Sequence, residues 1–581
     1  MARIGFSERV RLVALRAGGL GRRASTHILG SNVPGWRPLM AAPRQLVIVP
    51  PVLRSTDPSF WPEVQAGHFG LSGAIAQIGK GTPFDIAPPS TSWARDLHAF
   101  AWLRHLEAVE DPAAVACARR FTAVWLRKDR GSRGIAGEPA VRARRILSFL
   151  SHAPVLLDGA TEFEFDRFAR TLSRDIALLG ATWRRTRDGY DRLQAATALV
   201  MARLAVDGGG RHLPAALDRL EAEIGRQLLS DGGPVNRNPA ALIEILLDWL
   251  PLKSCLDSRR IETPVALDHA IYRILALLRF LRLGDGGIAR FNGMGVGDPA
   301  GLATLLAYDD GPLPAFAIAP ASLYARLARS GTVILADAGP PPPLMASSTA
   351  HAGCLSVEIS AGNQLLICNA GAPGSVDAAW RSVARSTACH STVCLGEMSS
   401  SRLVRHARLE AVLGAVPLQL PARVTATVKE AGGDGVLQAS HDGYLERLGL
   451  FHSREVRLAA DGLEITGLDR LSTKGGQDRL KRDVPFAAHF HLHPDSETEP
   501  SPPTGIIIRL RDGQRWLFQA SGFPAGVEES LYFAGNSGPR SALQIVVRGA
   551  TGGVTDVSWT LKRLHPARPD AASADNEGTP L

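Results

Sequence analysis

The stretch Arg385-Ser386-Thr387-Ala388-Cys389-His390-Ser391-Thr392-Val393 decides the reading of this 581-residue chain. It lies beyond a change in hydrophobic period. Upstream, segments 92–107, 114–127, 139–150, 163–179, 191–206, 214–229, 239–249 and 264–283 repeat apolar residues at three and four, the stripe of an amphipathic helix. From about Gly331 the period falls to two, as in Thr332-Val333-Ile334-Leu335 and Gln364-Leu365-Leu366-Ile367-Cys368, the pattern of strands. His390 therefore belongs to a strand-rich half that follows a helical half.

Working outward, the helical segments are joined by short links, with Pro139, Pro239 and Pro264 suited to first-turn positions. Such helices bury their stripes only against one another, which suits a bundle or an α/α toroid. No fixed-period repeat points to a helical array. In the second half, Asp461-Gly462 and Asp512-Gly513 lie between apolar alternations and predict tight hairpins in an antiparallel sandwich. Pro340 to Pro343 predict a stiff loop near its start.

A chain that is 45% hydrophobic and 21% charged has a globular balance, and its length predicts two or three domains. Lys and Arg (65) exceed Asp and Glu (56), a net charge of +9 that favours an acidic partner. No helix-turn-helix, RRM or zinc-finger pattern supports nucleic acid. The six cysteines form no C-x-x-C pair, arguing against a zinc ribbon or a disulfide scaffold. The first 25 residues lack a clean apolar core for an ordinary signal peptide, and no apolar run reaches the roughly 18 residues of a membrane-spanning helix.

The His390 stretch resembles the R-S-T-x-x-H-N-T signature of the heparinase II/III-like polysaccharide lyases. The resemblance runs from about Pro50 to Arg563. It includes Asp231-Gly232-Gly233 with Asn236-Arg237-Asn238-Pro239, His351 leading into Leu355-Ser356-Val357-Glu358, and Asp442-Gly443-Tyr444 with Gly449, His452 and Arg454. It implies a multidomain α+β chain: an irregular cap over 1–89, an N-terminal α/α toroid over 90–315, and an antiparallel β-sandwich over 320–565. A disordered tail over 566–581 is expected. It also implies an acidic, uronate-bearing polysaccharide substrate cut by β-elimination in the cleft between the two domains. The family suggests the periplasm or cell envelope; without a clear signal peptide the cytoplasm stays open.

β-Elimination needs a group that neutralises the uronate carboxylate, a base for the C5 proton and an acid for the leaving oxygen. The resemblance assigns the first role to Asn236, Arg237 and Asn238, where Asn238 alone also suits a helix cap. Tyr308 or Tyr324 supplies the phenol and His390 is its partner, while Asn292, His351 and Arg385 are expected to line the substrate. The pattern also departs from the family. Its first catalytic His falls at Thr349, an Asp at Gly353, a further acid at Asn369, and its phenol near Asn292. A zinc site on His351 and His390 would lack its carboxylate, so no metal and no other cofactor is expected. These departures motivate a second reading, a catalytically altered relative that binds acidic glycan. His489, His491 and His493 alternate along one strand and are expected on its outer face.

Overall fold

The computed structural model describes residues 42–564 except 129–133, 309–310, 375–377, 404–416, 475–479, 481 and 536–537. The first 41 residues of the expected cap and the expected tail lie outside the described residues. The helical stripes form as their spacing requires. Thr161 and Glu164 close a reciprocal capping box on Glu162–Thr182, and Pro stands in the first turn of Pro112–Arg127 and Pro139–Ser151.

Two boundaries differ from the sequence expectation. Segment 92–107 splits into Thr91–Ala99 and Leu103–Glu107 because Phe100 adopts φ +59 and buries its ring among Phe84, Trp102, Trp125 and Phe149. The segment starting near 239 does not end before Pro251 but runs as Ala240–Ser258. A helix proline costs about 3 kcal/mol, and buried Leu252, Cys255 and Leu256 offset that cost by continuing the apolar face beyond it.

Thr91–Ala99, Pro139–Ser151, Tyr190–Ala205 and Ala240–Ser258 pack one against the next, with Glu162–Thr182, Leu213–Gln227 and Val265–Phe280 outside them, giving the two helical layers of an α/α toroid. Two contacts join neighbouring inner helices near their N-terminal ends. Gly189, before the Tyr190 helix, lies against Asn236, before the Ala240 helix. Arg95 of the Thr91 helix bonds Glu138, which precedes the Pro139 helix.

From Tyr324 onward antiparallel sheets dominate the described residues. An eight-stranded sheet runs in the order 424–431, 434–441, 450–458, 464–473, 555–564, 515–521, 505–509, 497–501. Gly462 and Gly513 adopt φ +72 and +85 in the two expected hairpins. Facing this sheet are two four-stranded sheets, one containing Tyr324–Arg329, Thr332–Asp337, Val357–Ala361 and Gln364–Ile367. That sheet is buried on both faces: Ile334, Ala336 and Ile359 join the sandwich core, while Val333, Leu335 and Leu365 join the helical core. Shared burial fixes the sandwich against the toroid.

Candidate functional site

The side of the toroid carrying the inner-helix N-termini meets the sandwich at Gly293. Its φ is +95, and a β-carbon there would stand 2.7 Å from the Thr349 carbonyl oxygen and 3.4 Å from Asn238 Nδ2. The Asn236–Asn238 loop and the segment leading to His351 therefore approach each other. Asn238 Oδ1 accepts the Ala240 N–H at 2.9 Å, and Asn236 Oδ1 accepts the Asn238 N–H at 3.1 Å. The cap role expected for Asn238 uses only its oxygen, and its Nδ2 donates to no acceptor among the described residues.

Arg237 lies elsewhere. Its guanidinium donates to Asp337 Oδ1 at 2.5 Å, to the Ser322 carbonyl at 2.7 Å and to the Pro340 carbonyl at 2.9 Å, and it stacks 4.7 Å from the centre of the Tyr324 ring. Asn292 Nδ2 takes the second oxygen of Asp337 at 2.8 Å, and the Tyr324 hydroxyl donates to the Arg237 carbonyl. Burial pushes the Tyr324 phenol far up. Arg237, Asn292 and Tyr324 thus form a buried clasp between toroid and sandwich rather than a row of free groups. Tyr308 is 57% exposed at the end of Pro299–Ala307 and bonds none of these residues.

His390 and His351 meet directly, Nε2 to Nδ1 at 3.0 Å. His390 Nδ1 bonds the Ser386 carbonyl at 2.7 Å, so that nitrogen carries the proton and Nε2 accepts from His351 Nδ1–H. The arrangement leaves a lone pair on His351 Nε2. Burial holds both rings neutral, with His390 pushed down to about 4 and His351 well below its ordinary range. Arg385 donates to the Ala350 and Ser347 carbonyls at 2.7 and 3.3 Å, fixing the segment that carries His351.

The departures from the family pattern have physical reasons here. A β-carbon at Gly353 would fall 2.6 Å from His390 Cδ2, so the ring occupies the space a side chain would need. Asn369 is buried beside Glu358; its N–H donates to Glu358 Oε1 at 2.8 Å and its Oδ1 accepts from Ser391 N–H at 2.9 Å. Asn369 Nδ2 donates to the Arg290 carbonyl at 3.4 Å, where an acid would set a carboxylate oxygen against another acceptor. Among the described residues no group of three or more His, Cys, Asp or Glu is placed to hold a metal. His489 and His491 are buried, correcting the expected outer face, because the strand Val484–His491 is covered on both sides.

The inner-helix ends add residues that the sequence reading passed over. Arg95 holds Glu138 with Nε–Oε2 at 2.7 Å and Nη2–Oε1 at 3.2 Å, and Asp191 stands in the first turn of the Tyr190 helix. An acid in a first turn is ordinary helix chemistry, so nothing in the sequence marks Asp191.

The chain belongs to the heparinase II/III-like family. The pattern described as "Heparinase II/III-like, C-terminal" matches residues 311–560. The chain is 31% identical over 501 residues to FtsZ-localized protein C of Caulobacter vibrioides (strain NA1000 / CB15N), covering 85% of this chain and 86% of that protein. Its fold is similar to a crystal structure of heparinase III, with a TM-score of 0.68 at 10% identity, covering 97% of this chain and 92% of the other. A mutant heparan sulfate lyase from Pedobacter heparinus gives 0.61 at 15% identity, covering 96% and 90%. No described helix is long and apolar enough to cross a membrane.

Proposed function

We propose that the chain binds an acidic, uronate-bearing glycan in the cleft between toroid and sandwich, and that the β-elimination chemistry of the lyases is not assembled there. The observation that carries this reading is the Arg237–Asp337–Asn292 clasp. One carboxylate takes both the guanidinium expected to neutralise the substrate and the residue standing near the family's phenol position. The described phenols at 308 and 324 lie in solvent or in the clasp. Groups that remain for binding are the Asn238 amide, the exposed Thr349 and the lone pair of His351, set at the positive ends of the inner helices, which favour an anion. The overall charge adds little support, because seven arginines and one glutamate of residues 1–41 supply most of the excess.

Calorimetric titration with heparan sulfate, hyaluronan, alginate and pectate oligosaccharides, followed by ultraviolet detection of unsaturated uronate, tests the reading. Binding without unsaturated product is expected; accumulation of that product would overturn it. A second reading, localisation with FtsZ, is favoured by the name of the 31% identical relative. Imaging of the tagged protein beside FtsZ tests it, and a distribution independent of FtsZ counts against it.

A further inference from the structure

The toroid holds a cavity of its own, of about 490 Å³ counting the part open to solvent, between its inner helices and the strap formed by residues 50–54. Three guanidiniums line it, those of Arg54, Arg104 and Arg144, and two of them are matched by carboxylates. Arg54 bonds Glu244 at 2.7 Å and Asp248 at 3.0 Å, while Arg144 grips both oxygens of Asp248 at 2.7 and 3.0 Å. Arg104 differs. Its Nε donates to the Ser55 carbonyl at 2.9 Å and its Nη1 to the Ala101 carbonyl, which leaves Nη2 without an acceptor and the group without an ion pair among the described residues. Asp96, whose charge Arg104 feels, is bonded by the Ser72 hydroxyl instead. Burial, together with the charges of Arg54 and Arg144, pushes the Arg104 guanidinium down to about 10. A shielded cation beside two others is costly until an anion joins it. Much of the remaining lining is apolar, with Leu53, Leu147, Met201 and Leu247 among it. Leu247 and Pro251 lie about 11 and 17 Å along their helix from Ala240, so the cavity sits apart from the Asn236–Asn238 loop.

We propose that this cavity binds a small organic acid, its carboxylate on the Arg104 guanidinium and its apolar body against Leu53, Leu147, Met201 and Leu247; the proposal does not rest on the glycan-binding reading. One unmatched guanidinium calls for one negative charge. A phosphate or sulfate dianion would bring a second, close to the carboxylates of Asp248 and Glu244 that already answer Arg54 and Arg144. A carboxylate is planar and matches the N–H fork of an arginine with two parallel bonds. The apolar lining offers an inorganic ion no partners in place of its water, whereas a hydrocarbon or aromatic body is at home there.

Calorimetric titration of the full chain with benzoate and with octanoate, beside inorganic phosphate, tests the proposal. One-to-one binding of at least one of the two carboxylates, tighter than that of phosphate, is expected. Arg104→Gln should weaken it by roughly tenfold or more, the worth of a charge-assisted contact. Ala101→Leu, which narrows the cavity and keeps all three arginines, should weaken it as well, and it decides alone if Arg104→Gln does not fold. No saturable binding of either carboxylate, phosphate binding as tightly as both, or unchanged affinity in the folded variants overturns the proposal. Displacement of the bound carboxylate by a uronate oligosaccharide also overturns it, since the cavity would then belong to the glycan cleft. Failure of every oligosaccharide to bind counts against the glycan reading alone.

Discussion

The molecule contains two imidazole pairs of nearly the same shape. His351 and His390 meet edge to face with ring centres 5.1 Å apart and an 85° angle; His441 and His452 do so at 5.2 Å and 87°. What differs is how each chain of hydrogen bonds ends. His452 Nε2 bonds Asp469 at 2.7 Å, and Asp469 also receives Arg454 at 2.7 and 3.0 Å and the Trp559 indole at 3.1 Å. The cleft pair begins at a backbone carbonyl and ends at an open lone pair on His351. The pair closed by Asp469 at one end and by the Gly443 N–H on His441 Nδ1 at the other is scaffold, while on the glycan-binding proposal the lone pair left on His351 is offered to the ligand.

Breaking the closed pair should have the largest effect. Asp469→Ala leaves Arg454 buried without its carboxylate, and loss of one partner from a buried pair costs about 3–5 kcal/mol. Chemical denaturation should show a loss of that size or no folded protein. A loss below 1 kcal/mol would remove the distinction between the two pairs.

Acid should weaken the molecule next. His390 titrates near 4 in the fold against 6.5 when free, so between those values the unfolded chain binds the extra proton. Its contribution is complete above 6.5 and falls as pH drops toward 4, by about 2 kcal/mol at pH 5. His441, His452 and His491, also lowered by burial, act in the same direction. Melting temperature should therefore fall from pH 7 to pH 5, and a flat profile would contradict neutral burial of these rings. His351→Ala should cost less, on the order of 1–2 kcal/mol for the hydrogen bond it leaves unmade at His390, while weakening glycan binding. Equal affinity in the variant would show that the open lone pair serves no ligand.

The same contrast explains what the sequence made legible. Periodicities of three to four and of two gave the helical and strand halves because each element buries one kind of face. The His489 face was misread because a strand covered on both sides carries no polar-outside pattern. Arg237 looked like a free fork because its partner Asp337 stands 100 residues later, beyond any local pattern. Asn238 was legible because its cap and its spare amide both come from one short loop. Phe100 breaks a helix for the sake of an aromatic cluster assembled from distant segments, which local spacing does not encode.

The central claim is that the cleft between toroid and sandwich holds an acidic glycan, with Asn238 Nδ2 as a direct contact. The most direct measurement is the dissociation constant of a uronate oligosaccharide for the wild type and for Asn238→Ala, beside their melting curves. Loss of one hydrogen bond to a carboxylate should weaken binding by roughly tenfold or more, with the fold kept. Equal dissociation constants for the two proteins, or no binding by either, would contradict the account.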